Sequence, residues 1–177
     1  MKNRFLIVLT VVLGLSLSSS QSAAQNRVLG LHETLSNENA EAIANAMATL
    51  DEWMAAMNRG IEQYHTDPAT QDQSMKDWAS WNNYPHVRLA NGNVSVWESA
   101  EEWAMGRNFE AIVRRGQDHG HWLSREVTLA SPEKVHVETV FQRWNDRTEM
   151  IGEWQSLYMV TLVDGHWGVQ ARSSLCC

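Results

Sequence analysis

Three groups of residues have the types and spacing that chemistry requires. His86 and Arg88 stand two apart in His86-Val-Arg88-Leu-Ala90. An imidazole titrates near pH 6.5, which suits general acid–base work, and on a strand a residue two positions on shares its face. The pair could therefore bind and polarise a carbonyl or a carboxylate. The second group is Asp118-His119-Gly120-His121. His-x-His can hold a metal through both rings, with the carboxylate as a third ligand and His86 or His32 arriving from elsewhere. A polar helix-to-strand turn with one half-buried histidine is the preferred reading. No metal is expected, and Asp118, His119 and His121 are only candidates for one. The third group is Arg143, Tyr158 and Arg172, one on each of three successive predicted strands. A guanidinium presents a planar fork suited to carboxylate, and a phenol adds a hydroxyl donor. With aligned registers these three form a polar row, and Gln170 and Ser174 share the face of Arg172, which either lines a pocket or is the outer face of the sheet with an arginine stacked on Trp. Tyr64 and Trp81, on the helical side, join His86, Arg88, Arg143, Tyr158 and Arg172 as the predicted pocket lining.

Other chemistries fall away. The chain has no glycine-rich phosphate loop, no Gly-x-Ser-x-Gly elbow and no dinucleotide fingerprint. Its only cysteines, Cys176 and Cys177, are adjacent at the C-terminus, where they cannot staple a fold and read as a frayed tail. Covalent hydrolysis, nucleotide binding and redox-cofactor chemistry are not expected, and no cofactor is expected either.

The elements that must position these groups are legible in the pattern. A helix is predicted from Ser36 or Asn37, with Glu38 and Glu41 in its first turn, where the dipole favours them. Its apolar residues Ile43, Met47, Leu50, Met54, Met57, Ile61 and Tyr64 recur at helical spacing, the cleanest periodicity in the chain. Gly60 costs about 1 kcal/mol of helix propensity and marks a bend. Asp67-Pro68 starts a second helix, over 68–81, that turns Met75, Trp78 and Trp81 inward. Tyr84-Pro85 breaks it, and two short strands around Asn91-Gly92 make a type I′ hairpin. Ser99-Ala-Glu-Glu102 is a capping box that opens a third helix running to about Arg115, with Gly116 as its left-handed stop. Four strands follow, over 121–130, 134–144, 149–163 and 166–174, the last two joined by Asp164-Gly165. Short turns between them mean an antiparallel meander. Apolar residues occupy both faces of the 149–163 strand, so each face should be covered. The nine Trp residues mostly serve core and dimer packing, with some at the rim of a pocket for a flat apolar ligand.

Charge and targeting bound the setting. Lys2 and Arg4 precede a short apolar run, Phe5 to Leu17, and Ser22-Ala23-Ala24 has the small-residue pattern of a cleavage site. Residues 1–24 read as a secretory signal, residues 25–36 as a lead-in, 37–175 as one domain and 176–177 as a tail. The mature protein is expected in the periplasm or outside the cell, with no membrane attachment after cleavage. Losing Lys2 and Arg4 from the 14 basic residues takes the formal charge from −7 to −9. That acidity argues against nucleic acid as a partner.

The order of elements, Tyr84-Pro85-His86-Val87-Arg88 before an Asn-Gly hairpin, and the closing Ser156-Leu-Tyr158 and Asp164-Gly-His-Trp167-Gly-Val-Gln-Ala-Arg172-Ser-Ser174 resemble the nuclear transport factor 2-like superfamily. That resemblance implies an α+β, cystatin-like cone, with three N-terminal helices packed on a strongly bent antiparallel sheet in the order α-α-β-β-α-β-β-β-β. It also implies an enclosed pocket and a homodimer through the outer sheet face. The superfamily includes ketosteroid isomerases, polyketide cyclases and scytalone dehydratases, and the chain looks most like an uncharacterised exported branch. The isomerases' catalytic Asp, Tyr and protonated Asp find no matching positions, so no catalytic residue carries over. Whether the chain is an enzyme stays open. The favoured expectation is an exported pocket protein that binds a small, largely apolar molecule with one anionic or carbonyl group. The alternative is a cofactor-independent isomerase, cyclase or dehydratase that moves a proton next to a carbonyl. His86 would be its acid or base, with Tyr158 or Arg172 in support. A third reading is a structural dimer whose own Trp side chains fill the pocket.

Overall fold

The helical stripe around Leu50 and the strand-rich last third meet in one core. The computed structural model describes residues 39–175. The signal and lead-in assignments, the Ser36 or Asn37 helix start with Glu38, His32 and the Cys176-Cys177 tail lie outside those residues. Helix α1 (Ala40–Thr66) begins after Asn39 and buries Leu50, Trp53, Met54, Met57 and Ile61. Ile43, Met47 and Tyr64, at the flanks of the predicted stripe, are half-buried against the same core. The helix runs unbroken through Gly60, where a Cβ would lie 2.0 Å from the Phe109 ring. Gly60 therefore makes room for a ring rather than bending the helix. Asp67 caps a single 3-10 turn, Pro68–Thr70, accepting the Ala69 N–H at 3.1 Å. Helix α2 (Gln71–Ala79) follows and buries Met75 and Trp78.

Six strands form one sheet in the order β2-β1-β6-β5-β4-β3. They are β1 (Asn82–Ala90), β2 (Asn93–Trp97), β3 (His119–Ser131), β4 (Lys134–Trp144), β5 (Met150–Val163) and β6 (His166–Ser174). Both predicted I′ turns have the required left-handed pair, Asn91 (φ 55°) with Gly92 (φ 72°) and Asp164 (φ 50°) with Gly165 (φ 81°). The meander β3 to β6 is antiparallel, as expected. The sheet as a whole is mixed, which corrects the all-antiparallel expectation. β1 pairs with β6 in parallel, because the hairpin, helices and meander between Ala90 and His166 return the chain to the same end. Bulges interrupt β3–β4 at two places, β4–β5 near Trp144, β5–β6 after Met159 and β1–β6 before Val87. Bulges sharpen twist and bend, and these curl the sheet around α1.

The predicted third helix is two short ones, α3 (Ala100–Met105) and α4 (Phe109–Val113). Gly106 ends the first, and the Asn108 side chain starts the second by accepting the Ala111 N–H at 2.7 Å. Two competing caps in three residues outweigh continuous helix. The capping box is half formed. Ser99 Oγ accepts the Glu102 N–H at 3.2 Å, while the Glu102 carboxylate takes the Glu98 N–H at 2.7 Å instead of its own cap.

Alternation along β5 separates the two sheet faces. Ser156, Tyr158 and Val160 are buried toward α1, with Val135 and Val137 of β4 and Val169 of β6 beside them. The opposite face carries a row that crosses all six strands in register: Val96, Val87, Ala171, Met159, His136 and Leu129. The two-sided apolar pattern of β5 thus has one covered side and one exposed side within the protomer.

Candidate functional site

Inside the curl, between α1 and the concave sheet face, lies a cavity of about 310 Å³. Its size falls at the lower end of small-molecule sites. Trp53, Trp78, Trp97 and Phe141 supply its aromatic walls, and Arg88, Arg107, Arg115, Arg143 and Arg172 also line it. The described lining contains no Asp or Glu. A recess of about 20 Å³, room for one water-sized group, lies deeper among Trp53, Trp103, His86, Tyr158, Arg107 and Arg172.

Local folding explains each placement. Tyr158 and Arg172 are direct cross-strand partners on β5 and β6, and Arg172 pairs in turn with Arg88 of β1, which pairs with Ser95 of β2. The polar row is therefore Tyr158, Arg172, Arg88, Ser95. Arg143 is not in that row, since Val137 is the residue of β4 opposite Tyr158. Arg143 reaches the same cavity from farther along β4, where it lies over the Trp154 ring at 4.1 Å. Gln170 departs from its expected place. The bulge after Met159 takes it off the Arg172 face, and it bonds the Pro85 carbonyl and Thr161 Oγ1 instead. Ser174 stays on the inner face, with its hydroxyl 2.9 Å from that of Ser156.

Arg172 Nη1 donates to the Tyr158 hydroxyl at 3.1 Å, and the guanidinium lies 5.7 Å from the Trp53 ring centre. Trp53 is itself fixed, donating Nε1–H to Asn82 Oδ1 at 3.1 Å. Arg107 projects from the break between α3 and α4 and is sandwiched by Trp97 (4.3 Å) and Trp103 (4.0 Å). Burial, then Arg172 and Arg88, push its pKa down to about 9, still well above neutral pH. Burial followed by Arg115, Arg172 and Arg88 also lowers that of Arg143. The Nε donors of Arg143 and Arg172 and the indole N–H of Trp78 are buried without a hydrogen-bond acceptor. Each such orphan costs about 1–3 kcal/mol.

His86 is buried beside Trp97 and Trp103. Its Nδ1 lies 2.8 Å from the Val169 carbonyl, which can only accept, so Nδ1 carries the proton. Burial drives its pKa down to about 4; the Val169 bond opposes this, and Arg172, Arg107 and Arg88 add to it. At neutral pH it is an uncharged ring with no carboxylate partner in the recess, a poor proton acceptor for chemistry next to a carbonyl.

Tyr64 and Trp81 do not line this cavity; both are partly buried members of the core. His119, Gly120 and His121 are the start of β3 rather than a turn, and Asp118 precedes them. Asp118 Oδ2 lies 3.0 Å from His119 Nδ1, and both histidine rings stack on Trp144 (6.5 and 5.4 Å). Among the described residues no three His, Cys, Asp or Glu are grouped to hold a metal. Arg107 and Arg115 escape a reading built on strand periodicity. The Gly106-Arg107-Asn108 triplet, a stop beside a start, was the available signal for the first. Arg115 sits just before the Gly116 stop.

No family sequence model and no curated protein matches the chain. Solved structures do. An NTF2-like protein of unknown function from Shewanella oneidensis matches with TM-score 0.55 and 12% identity, over 75% of this chain and 98% of its own. A cystatin-like-fold protein of unknown function from Nostoc punctiforme matches with TM-score 0.53 and 10% identity, over 74% and 87%. A ketosteroid isomerase-like protein from Erwinia carotovora matches with TM-score 0.50 and 14% identity, over 74% and 92%. At such identities the likeness speaks to architecture alone. Helices over a curled six-stranded mixed sheet, with those neighbours, give this chain the cystatin-like fold of the nuclear transport factor 2-like proteins.

Proposed function

We propose that the protein binds a small molecule with a flat apolar body and an anionic group in the cavity between α1 and the sheet. The observation that carries this reading is the lining itself: aromatic walls with five arginines and no carboxylate in the described set. Apolar surface and a few convergent polar groups are the usual makeup of a ligand site, and guanidinium is suited to oxyanions. The proton-transfer alternative has less support, because His86 is neutral, bonded to a backbone carbonyl and without a carboxylate partner. Two further parts of the proposal rest on the chain's patterning. The mature protein is exported, on the strength of the Phe5–Leu17 run and Ser22-Ala23-Ala24. A second copy covers the outer sheet face, where Leu89, Val94, Val96 and Leu129 are exposed. Thermal denaturation of residues 25–177 against a panel of aromatic carboxylates tests the main reading. A ligand at 100 times its Kd stabilises by about 2.7 kcal/mol. No shift from any aromatic anion in the panel would sink the pocket reading.

A further inference from the structure

We infer that the ligand of this cavity carries at least two negative charges on a planar aromatic frame, one held at the Arg107 end and one at the Arg143 end. This rests on the anion-pocket reading and goes further by fixing charge number and layout. The five arginines are spread, not bunched. Arg88 and Arg172 each act on both Arg107 and Arg143. Arg107 lies over Trp97, which pairs with His86 on one side of the Tyr158–Arg172–Arg88 row, and Arg143 lies over Trp154, on the other side of that row along β5, so the two stand at opposite flanks of the central pair.

Shortage of acid does not explain the missing carboxylates, since the chain has 21 acidic residues against 14 basic ones. Three arginines away from the cavity do pair: Arg59 with Glu52, Arg114 with Glu110, and Arg125 with Asp51 at 2.7 Å. Among the described residues, Arg107, Arg115, Arg143 and Arg172 have no such partner. One monoanion cannot offset four mutually repelling guanidiniums spread over two flanks, whereas a dianion or trianion that reaches both flanks can. Each flank is also preformed for an oxyanion. The indoles of Trp97 and Trp103 grip the faces of Arg107, and Trp154 covers a face of Arg143. A guanidinium held by its faces offers its N–H edges, the geometry of a bidentate carboxylate or phosphate contact. Between the flanks, Trp53, Trp78 and Phe141 provide flat apolar surface for a ring.

The test is a titration of residues 25–177, followed by tryptophan fluorescence and calorimetry, with benzoate, isophthalate, trimesate and phenyl phosphate, plus inorganic phosphate as the ring-free control. Each added carboxylate is expected to tighten binding at least tenfold, and phenyl phosphate to bind at least tenfold tighter than inorganic phosphate. Raising the salt concentration should weaken trimesate more steeply than benzoate. Arg107→Met and Arg143→Met should each weaken isophthalate binding at least tenfold. The ligand series on the unaltered chain decides the matter even if a variant fails to fold. Benzoate binding as tightly as trimesate would overturn this inference and leave the pocket reading standing. Inorganic phosphate matching phenyl phosphate would overturn the aromatic frame. Silence from every probe would overturn both.

Discussion

Arg172 donates to the hydroxyl of Tyr158, its direct cross-strand partner, at 3.1 Å, and this bond aims a cavity cation with a residue that is itself almost wholly buried. Tyr158→Phe removes the acceptor and leaves a guanidinium N–H unmatched. The folded protein should lose about 1–3 kcal/mol in urea denaturation. Trimesate affinity should fall as well, because Arg172 is no longer oriented. A variant with unchanged stability would show that the bond is not made in solution.

Arg143 offers the opposite trade. It makes no ion pair or hydrogen bond from its buried Nε, and Arg115, Arg172 and Arg88 repel it. Replacing a poorly compensated buried charge with an apolar side chain of similar length is often stabilising by roughly 1–4 kcal/mol. Arg143→Met should raise the urea midpoint and weaken isophthalate and trimesate binding at least tenfold. A lowered midpoint would mean that the stacking on Trp154 outweighs the repulsion.

His86 makes stability depend on pH with a definite sign. Its folded pKa of about 4 lies below the ordinary 6.5, so the unfolded chain binds the proton more readily. Stability should be full above pH 6.5, fall as pH drops through that window, and level off below about 4. The gap corresponds to a loss on the order of 3 kcal/mol. His86→Asn keeps a donor for the Val169 carbonyl and cannot titrate, so its denaturation midpoint should be flatter between pH 6.5 and 4. Equal slopes for the two proteins would exclude His86 as the source.

Gly60→Ala gains about 1 kcal/mol of helix propensity but puts a methyl 2.0 Å from the Phe109 ring. Overpacking of this kind costs typically 1–3 kcal/mol, and the ring cannot retreat from the core. A net loss of thermal stability is expected, with partial recovery in Gly60→Ala/Phe109→Leu. A more stable single variant would refute the packing account.

The outer row centred on Met159 predicts assembly. Met159→Lys places a charge amid Val87, Val96, Ala171 and Leu129. Sedimentation equilibrium should show a dimer for the parent chain and a monomer for the variant, with anion binding by the cavity retained. A monomeric parent would remove the second copy from the picture.

Much of this molecule was legible before any coordinates. Asn91-Gly92, Asp164-Gly165 and the Leu50 stripe each encode their conformation locally, through left-handed turn residues and helical period. Strand alternation put His86 with Arg88, and Arg172 with Ser174, on shared faces, but which face turns inward came only with the packing of the sheet on α1. What escaped depended on distant chain. The parallel β1–β6 pairing joins residues such as Arg88 and Arg172, and no local pattern announces it. Arg107 was hidden because its placement comes from a break between two caps, not from periodicity. Gln170 moved because it is the extra residue of a bulge, unpaired between Val169 and Ala171. Tyr64 and Trp81 have pocket-like side chains, but the core took them.

The five cavity arginines come from β1, the α3–α4 connection, the turn after α4, β4 and β6. No fragment of the chain holds them together, and the first and last are joined only when β6 docks beside β1. Repulsion between Arg88 and Arg172 accompanies that long-range pairing, so closure of the sheet works against its own charge. An anion present during refolding should therefore speed or stabilise that closing step, acting as a template for the final strand as well as a ligand of the finished protein.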